Sequence, residues 1–190
     1  MKRIALLSIL LLTSLLSFAQ TETTQEEKSK SKALEFLSKD GSFILKEFYE
    51  LGTVKGVKCE VLILTDVVKN EKIGCLRVET SHYVSYSYGS DTYTGTLDYD
   101  ELDACIKCIK YIQETLLPSS PEIYTESEYK TRDNVKVGAY YDNSKSKWTA
   151  FMYTRGYTSK SAAFFDSSNL TELCEMMERA KGMIAEKVKK

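Results

Sequence analysis

The 190-residue chain is 43% hydrophobic and 11% aromatic, with 26 basic side chains against 27 acidic ones. That composition fills the core of one domain or of two closely packed halves, and it lacks the basic surplus of a protein that grips a phosphate backbone, so nucleic acid is disfavoured as a partner. A single histidine, and no G-x-S-x-G, phosphate loop or paired-carboxylate signature, leave no catalytic motif and imply no cofactor or metal.

The first element is an export signal. Lys2 and Arg3 precede an apolar run over 4–18, broken only by Ser8, Thr13, Ser14 and Ser17, and Ser17-Phe18-Ala19 places small residues before a cut at Gln20. The run is shorter than the roughly 20 residues of a permanent span, so residues 1–19 read as a cleavable signal peptide resembling a bacterial Sec signal. Gln20 stands where a lipid anchor would need Cys. The expected product has no membrane anchor after cleavage, is periplasmic or extracellular, and retains 24 basic against 27 acidic residues, a net charge of −3.

Residues 20–38 form a polar leader, TETTQEEKSKSK over 21–32, that turns helical towards Ala33-Leu34-Glu35-Phe36-Leu37. The α+β domain then occupies 39–190. Strands are expected over 42–50, 57–67 (the strongest, being apolar and β-branched), 72–80 continuing or restarting at 83–88, and 92–97. A helix opens at Asp100-Glu101-Leu102 and closes at Pro118. The second half repeats the plan, with strands over 122–130, 135–141, 148–155 and 161–165, then the cap Asp166-Ser167-Ser168-Asn169 and a helix over 170–188.

The two halves, about 40–117 and 121–190, also match in detail. A shift of 68 residues lays Leu97-Asp98 on Phe165-Asp166, Leu102 on Leu170, Cys105 on Leu173, Ile106 on Cys174, Cys108 on Met176 and Ile109 on Met177. The expected fold is therefore two ββββα repeats, antiparallel curved sheets packed against two long helices. In element order it resembles the Pur-alpha and whirly families, and that resemblance implies single-stranded nucleic-acid binding on an open sheet face. No family motif is matched residue by residue, and an exported, acidic chain departs from those proteins.

Cys105 and Cys108 form a C-x-x-C, whose redox use needs the first thiol at a helix N-terminus. Here Cys105 belongs to the stripe Leu102, Cys105, Ile109, Ile112 and Leu116, with Cys108 on its flank, which points to burial as a small apolar residue. Met176, Met177 and Met183 suit a similar stripe on the last helix. With a turn near Asn70-Glu71, Ile63 faces Val78 and Thr65 faces Leu76, which sends Cys59 and Cys75 to opposite sheet faces, too far apart to bridge. The count of five leaves at least one thiol without an intramolecular partner, the fifth being Cys174.

Thirteen tyrosines mark the candidate surface. Tyr83, Tyr86, Tyr88 and Tyr93 in the first half, and Tyr140, Tyr141, Tyr153 and Tyr157 in the second, suit an exposed face that stacks a ligand or partner, with Arg77 and Arg155 able to hold an anion. The ligand-binding set is Tyr83, Tyr86, Tyr88, Tyr93, Tyr153, Arg155 and Tyr157. The same tyrosines also suit ordinary cross-strand pairing. His82, at an expected strand kink beside Ser81 and Asp91, and Cys105 are the residues on which an enzymatic alternative rests. The favoured reading is a non-enzymatic exported protein that binds a small molecule or a protein, and its strand edges allow a homodimer.

Overall fold

A computed structural model describes residues 30–84, 89–156 and 158–189, with the side chains of Tyr83 and Val84 left out. The signal peptide, most of the polar leader, Tyr86, Tyr88 and Tyr157 lie outside the described residues.

Two four-stranded antiparallel meanders carry the fold. Sheet 1 runs β1 (Ile44–Val54), β2 (Val57–Asp66), β3 (Glu71–Val84) and β4 (Gly89–Asp98); sheet 2 runs β5 (Thr125–Lys130), β6 (Lys136–Asp142), β7 (Lys147–Tyr153) and β8 (Ala162–Phe165). A short helix α1 (Lys32–Leu37) precedes sheet 1, α2 (Leu102–Tyr111) follows it after one 3-10 turn, and α3 (Ser167–Val188) follows sheet 2. The α+β class and the two sheet-plus-helix units agree with the sequence expectation.

Both long helices begin in the same way. Asp98 and Asp166 each cap their helix in a reciprocal box, with Glu101 and Asn169 reaching back. The hairpin turns match as well. Asp66 accepts the N–H groups of Val68 and Lys69, and Asp142 accepts that of Ser144. Each carboxylate pairs with a lysine three residues on, and Asn70 and Ser146 take the left-handed backbone that closes each turn.

The helices are exchanged. α3 lies across β1, β2 and β3 of sheet 1, whereas α2 lies on β6 of sheet 2 and runs beside α3. Asp103–Lys181 (2.5 Å), Lys110–Glu178 (3.1 Å) and Gln113–Thr171 (2.8 Å) are rungs along that antiparallel helix pair. One core results, joining Cys59, Val61, Ile63, Leu76 and Leu97 of sheet 1 to Val137, Ala139, Ala150 and Met152 of sheet 2 through Leu102, Cys105, Ile109, Leu173 and Met177. At Gly52 β1 bulges with φ 142°, a conformation open to glycine, and a Cβ there would stand 3.0 Å from the Met176 Cε.

Sheet 1 is covered by α3 on one face and in part by α1 on the other. α1 lays Ala33 and Phe36 on Leu62, Leu64 and Cys75, which explains why the stretch 61–64 of β2 is an unbroken apolar run rather than an alternating one. Asp98 fastens that helix, accepting from Ser31 Oγ (3.1 Å), Lys32 N (2.7 Å) and Ala33 N (3.0 Å) while pairing with Arg132 (3.0 Å). The buried carboxylate thus serves two helix entrances and an ion pair at once.

Three expectations need correction. The β2–β3 register sets Ile63 opposite Gly74 and Leu76 opposite Val61, not Val78 and Thr65, because the turn closes earlier, between Asp66 and Glu71. The slip is an even number of residues, so each side chain keeps its face. Cys59 and Cys75 do point to opposite faces, and all five cysteines are free thiols. β3 passes unkinked through His82, which is exposed and pairs in register with Asp91. The first strand spans Ile44–Val54 rather than 42–50.

Candidate binding face

Period-two alternation sorts the side chains of sheet 2. Tyr141, Trp148, Ala150, Met152 and Phe165 turn into the core, and Tyr140, Phe151, Tyr153 and Phe164 turn the other way, onto a face that no helix covers among the described residues. Gly138 organises that face. It lies in register with Phe151, and a Cβ on it would sit 2.7 Å from the Phe151 Cζ, so the ring folds down over the bare backbone and is only 3% exposed.

The neighbouring rings build on this base. Phe151 meets Tyr153 edge-on at 5.3 Å between centroids and lies 6.2 Å from Tyr140. Phe164, in register with Phe151, and Tyr124 stand up from the face at 52% and 60% exposure. Together with Glu126 and Asp142 they line a cleft of about 430 Å³. Its floor is an aromatic row, and its two carboxylates lie at one end.

Both carboxylates are held in place. Glu126 accepts from the Tyr124 hydroxyl at 2.8 Å. Asp142 accepts from Ser144 N (3.0 Å) and Oγ (2.6 Å) and pairs with Lys145 (2.9 Å); the Ser144 and Lys145 hydrogen bonds draw its pKa down to about 2. Each carboxylate oxygen has two lone pairs, so both groups still accept donors from a ligand.

Of the candidates named from the sequence, those whose side chains are described, Tyr93, Tyr153 and Arg155, do not come together. Tyr153 lies on the aromatic face. Tyr93 has the inward parity of Gly95 and Leu97, and its carbonyl accepts from Thr154 Oγ1 (3.0 Å) at the seam between the sheets. Arg155 lines a different groove, about 520 Å³ in volume, beside Phe48, Arg77, Thr94 and Asp133. Arg77 is committed there to Glu60 and Glu79, with the Phe48 ring centroid 5.8 Å away.

The residues missed were Phe151, Phe164, Tyr124, Glu126 and Asp142. Parity along β7 was the available signal, since it sends Phe151 and Tyr153 to one side. The stacking of β8 on the same face was not visible without the β7–β8 register.

The thiols lie elsewhere. Cys105 is fully buried in the core, well past the helix entrance at Asp98, and burial pushes its pKa up, as it does for Cys59 and Cys75, to about 12 for each of these two. A thiol so held stays protonated and unreactive. Among the described residues no cluster of three or more His, Cys, Asp or Glu side chains could hold a metal ion, and no helix is long and apolar enough to cross a membrane. No protein-family model, curated protein or solved structure matches the chain.

Proposed function

We propose that the protein is an exported, non-catalytic binding protein whose ligand lies on the aromatic face of sheet 2. The single observation that carries this reading is the row Tyr140, Tyr153 and Phe164, built on the buried Phe151 ring and left open beside two positioned carboxylates. Rings on a flat face stack against a surface that is itself flat and partly apolar, and carboxylates accept from hydroxyl or ammonium donors. A sugar ring has both properties, so the ligand class is a polyhydroxylated one, an oligosaccharide. Export, read from residues 1–19, places such a protein among the glycans of the envelope or its surroundings.

Two competing readings have less support. An enzymatic role for Cys105 needs a reachable thiol, and this one is sealed in the core. The Pur-alpha and whirly resemblance directs attention to an open sheet face, but single-strand binding needs a basic groove, and here Glu126 and Asp142 line the cleft while Lys136 is paired with Glu128.

The test is a titration of the isotope-labelled mature chain with a panel of uncharged oligosaccharides, followed by NMR. The expected result is saturable shifts confined to Tyr124 and to β5, β6, β7 and β8, with Phe164→Ala and Tyr124→Ala each weakening binding about tenfold, or about 1.4 kcal/mol. Both residues are surface-exposed, so the fold survives their loss. Shifts spread over other surfaces, or variants that bind like the parent, would refute the reading.

A further inference from the structure

A second cavity lies at the opposite kind of surface, between α1, the start of β3 and the last turn of α3. The cause is a mismatch in strand length. β4 ends at Asp98, opposite Cys75, and the chain then turns away into Tyr99, whereas β3 begins at Glu71. The first four residues of β3 therefore have no neighbour on that side, and a cavity of about 270 Å³ opens between them and α3. Its walls are Ile73, Gly74, Tyr99, Ile184, Ala185 and Val188, almost wholly apolar.

The mouth carries an excess of positive charge. Lys32, Lys72 and Lys189 line it, with Asp98 and Asp100. Both carboxylates are already compensated: Asp98 by Arg132 and the hydrogen bonds at the α1 entrance, Asp100 by Arg132 and by Lys32 at 2.8 Å. Neither Lys72 nor Lys189 is in an ion pair among the described residues. Lys72 Nζ donates to Lys187 O at 3.4 Å and keeps two further donors. An apolar slot of this size, just below the roughly 300–1,000 Å³ of ligand pockets, takes one short aliphatic chain and not two.

We infer that this cavity binds a free medium-chain fatty acid, its chain against Ile73, Ile184, Ala185 and Val188 and its carboxylate at Lys72 and Lys189. Burial of each methylene supplies the affinity, and the two ammonium groups decide the sign of the headgroup. This site is separate from the aromatic face and does not depend on it.

Calorimetric titration of the mature chain with decanoate tests the inference, with decylamine and decanol as chains of equal length. Decanoate is expected to bind at one site, at least tenfold more tightly than decylamine. Lys72→Gln combined with Lys189→Gln should bring decanoate to the affinity of decanol, and Ala185→Phe should abolish binding by filling the slot. Circular dichroism of each variant verifies that the fold is intact, and Lys189→Gln alone, at an exposed position, gives a reduced preference that does not depend on core packing. Equal binding of decylamine, undiminished binding by Ala185→Phe, binding that appears only after residues 20–29 are removed, or no binding of decanoate at all would overturn the proposal.

Discussion

The charged residues at the junction of α1, β4 and the β5–β6 loop show how one arginine organises several carboxylates. Arg132 faces Asp98, Asp100 and Glu101, and its own N–H donates to Glu101 at 2.8 Å. At Asp100 the Arg132 hydrogen bond and then Lys32 draw the pKa to about 2 against the pull of burial. A carboxyl whose folded pKa lies below its unfolded value of about 3.9 contributes stability above that value and loses it as pH falls towards 2. Asp100→Asn should therefore lower stability at pH 7 and make no difference at pH 2. The side chain is 45% exposed, so the effect at pH 7 should stay below about 1 kcal/mol and shrink in 1 M salt. Urea denaturation of both proteins across that pH range measures it, and a difference that persists at pH 2 would contradict the assignment.

Among elements, the seam between the two sheets is a very close contact. β4 approaches the end of β7 so closely that a Cβ on Gly95 would lie 2.2 Å from Thr154 O and 2.4 Å from Val135 Cγ2. Thr154 Oγ1 shares a hydrogen bond with Thr80 Oγ1 at 2.8 Å, and Asp133 accepts from Thr96 N at 2.8 Å, so polar bonds flank the close approach. Gly95→Ala must push backbone against backbone and should destabilise the fold by about 2–4 kcal/mol. Gly182→Ala, on the open side of α3 with no atom near its Cβ, should instead stabilise by about 0.5–1 kcal/mol. Thermal melts of the two variants should thus move in opposite directions. The sequence presents both as isolated glycines inside regular elements, because close approach of distant backbone leaves no local mark.

At the scale of the molecule, exchange of the helices makes the two units interdependent. Sheet 1 without α3, or sheet 2 without α2, would expose the inner face that the other unit's helix covers. Unfolding should therefore be a single transition. Trp148, the one tryptophan, sits in sheet 2 with its Nε1 donating to Ser119 O at 3.0 Å, so its fluorescence reports that unit, while far-ultraviolet circular dichroism reports both. The two urea curves should coincide, and a Trp148 transition displaced from the dichroism curve would show that the units unfold separately. The same interdependence backs the aromatic face, since α2 packs behind β6.

Local rules were sufficient for the order of elements. The stripe from Leu102 to Ile112, the acidic caps Asp98 and Asp166, and the turn residues around Asn70 and Ser146 act over a few positions, and the sequence displays them directly. Parity is similarly short-ranged, which is why Cys59 and Cys75 could be sent to opposite faces even with the hairpin register off. Only the tertiary structure decided that α2 and α3 cross to each other's sheets, that α1 covers part of the second face of sheet 1, and that Phe164 joins Tyr140, Phe151 and Tyr153 while Tyr93 and Arg155 go elsewhere. The physical reason is that an apolar helical stripe fits any apolar sheet face, so the choice between faces rests on long-range closure and side-chain shape, which no window of the sequence contains.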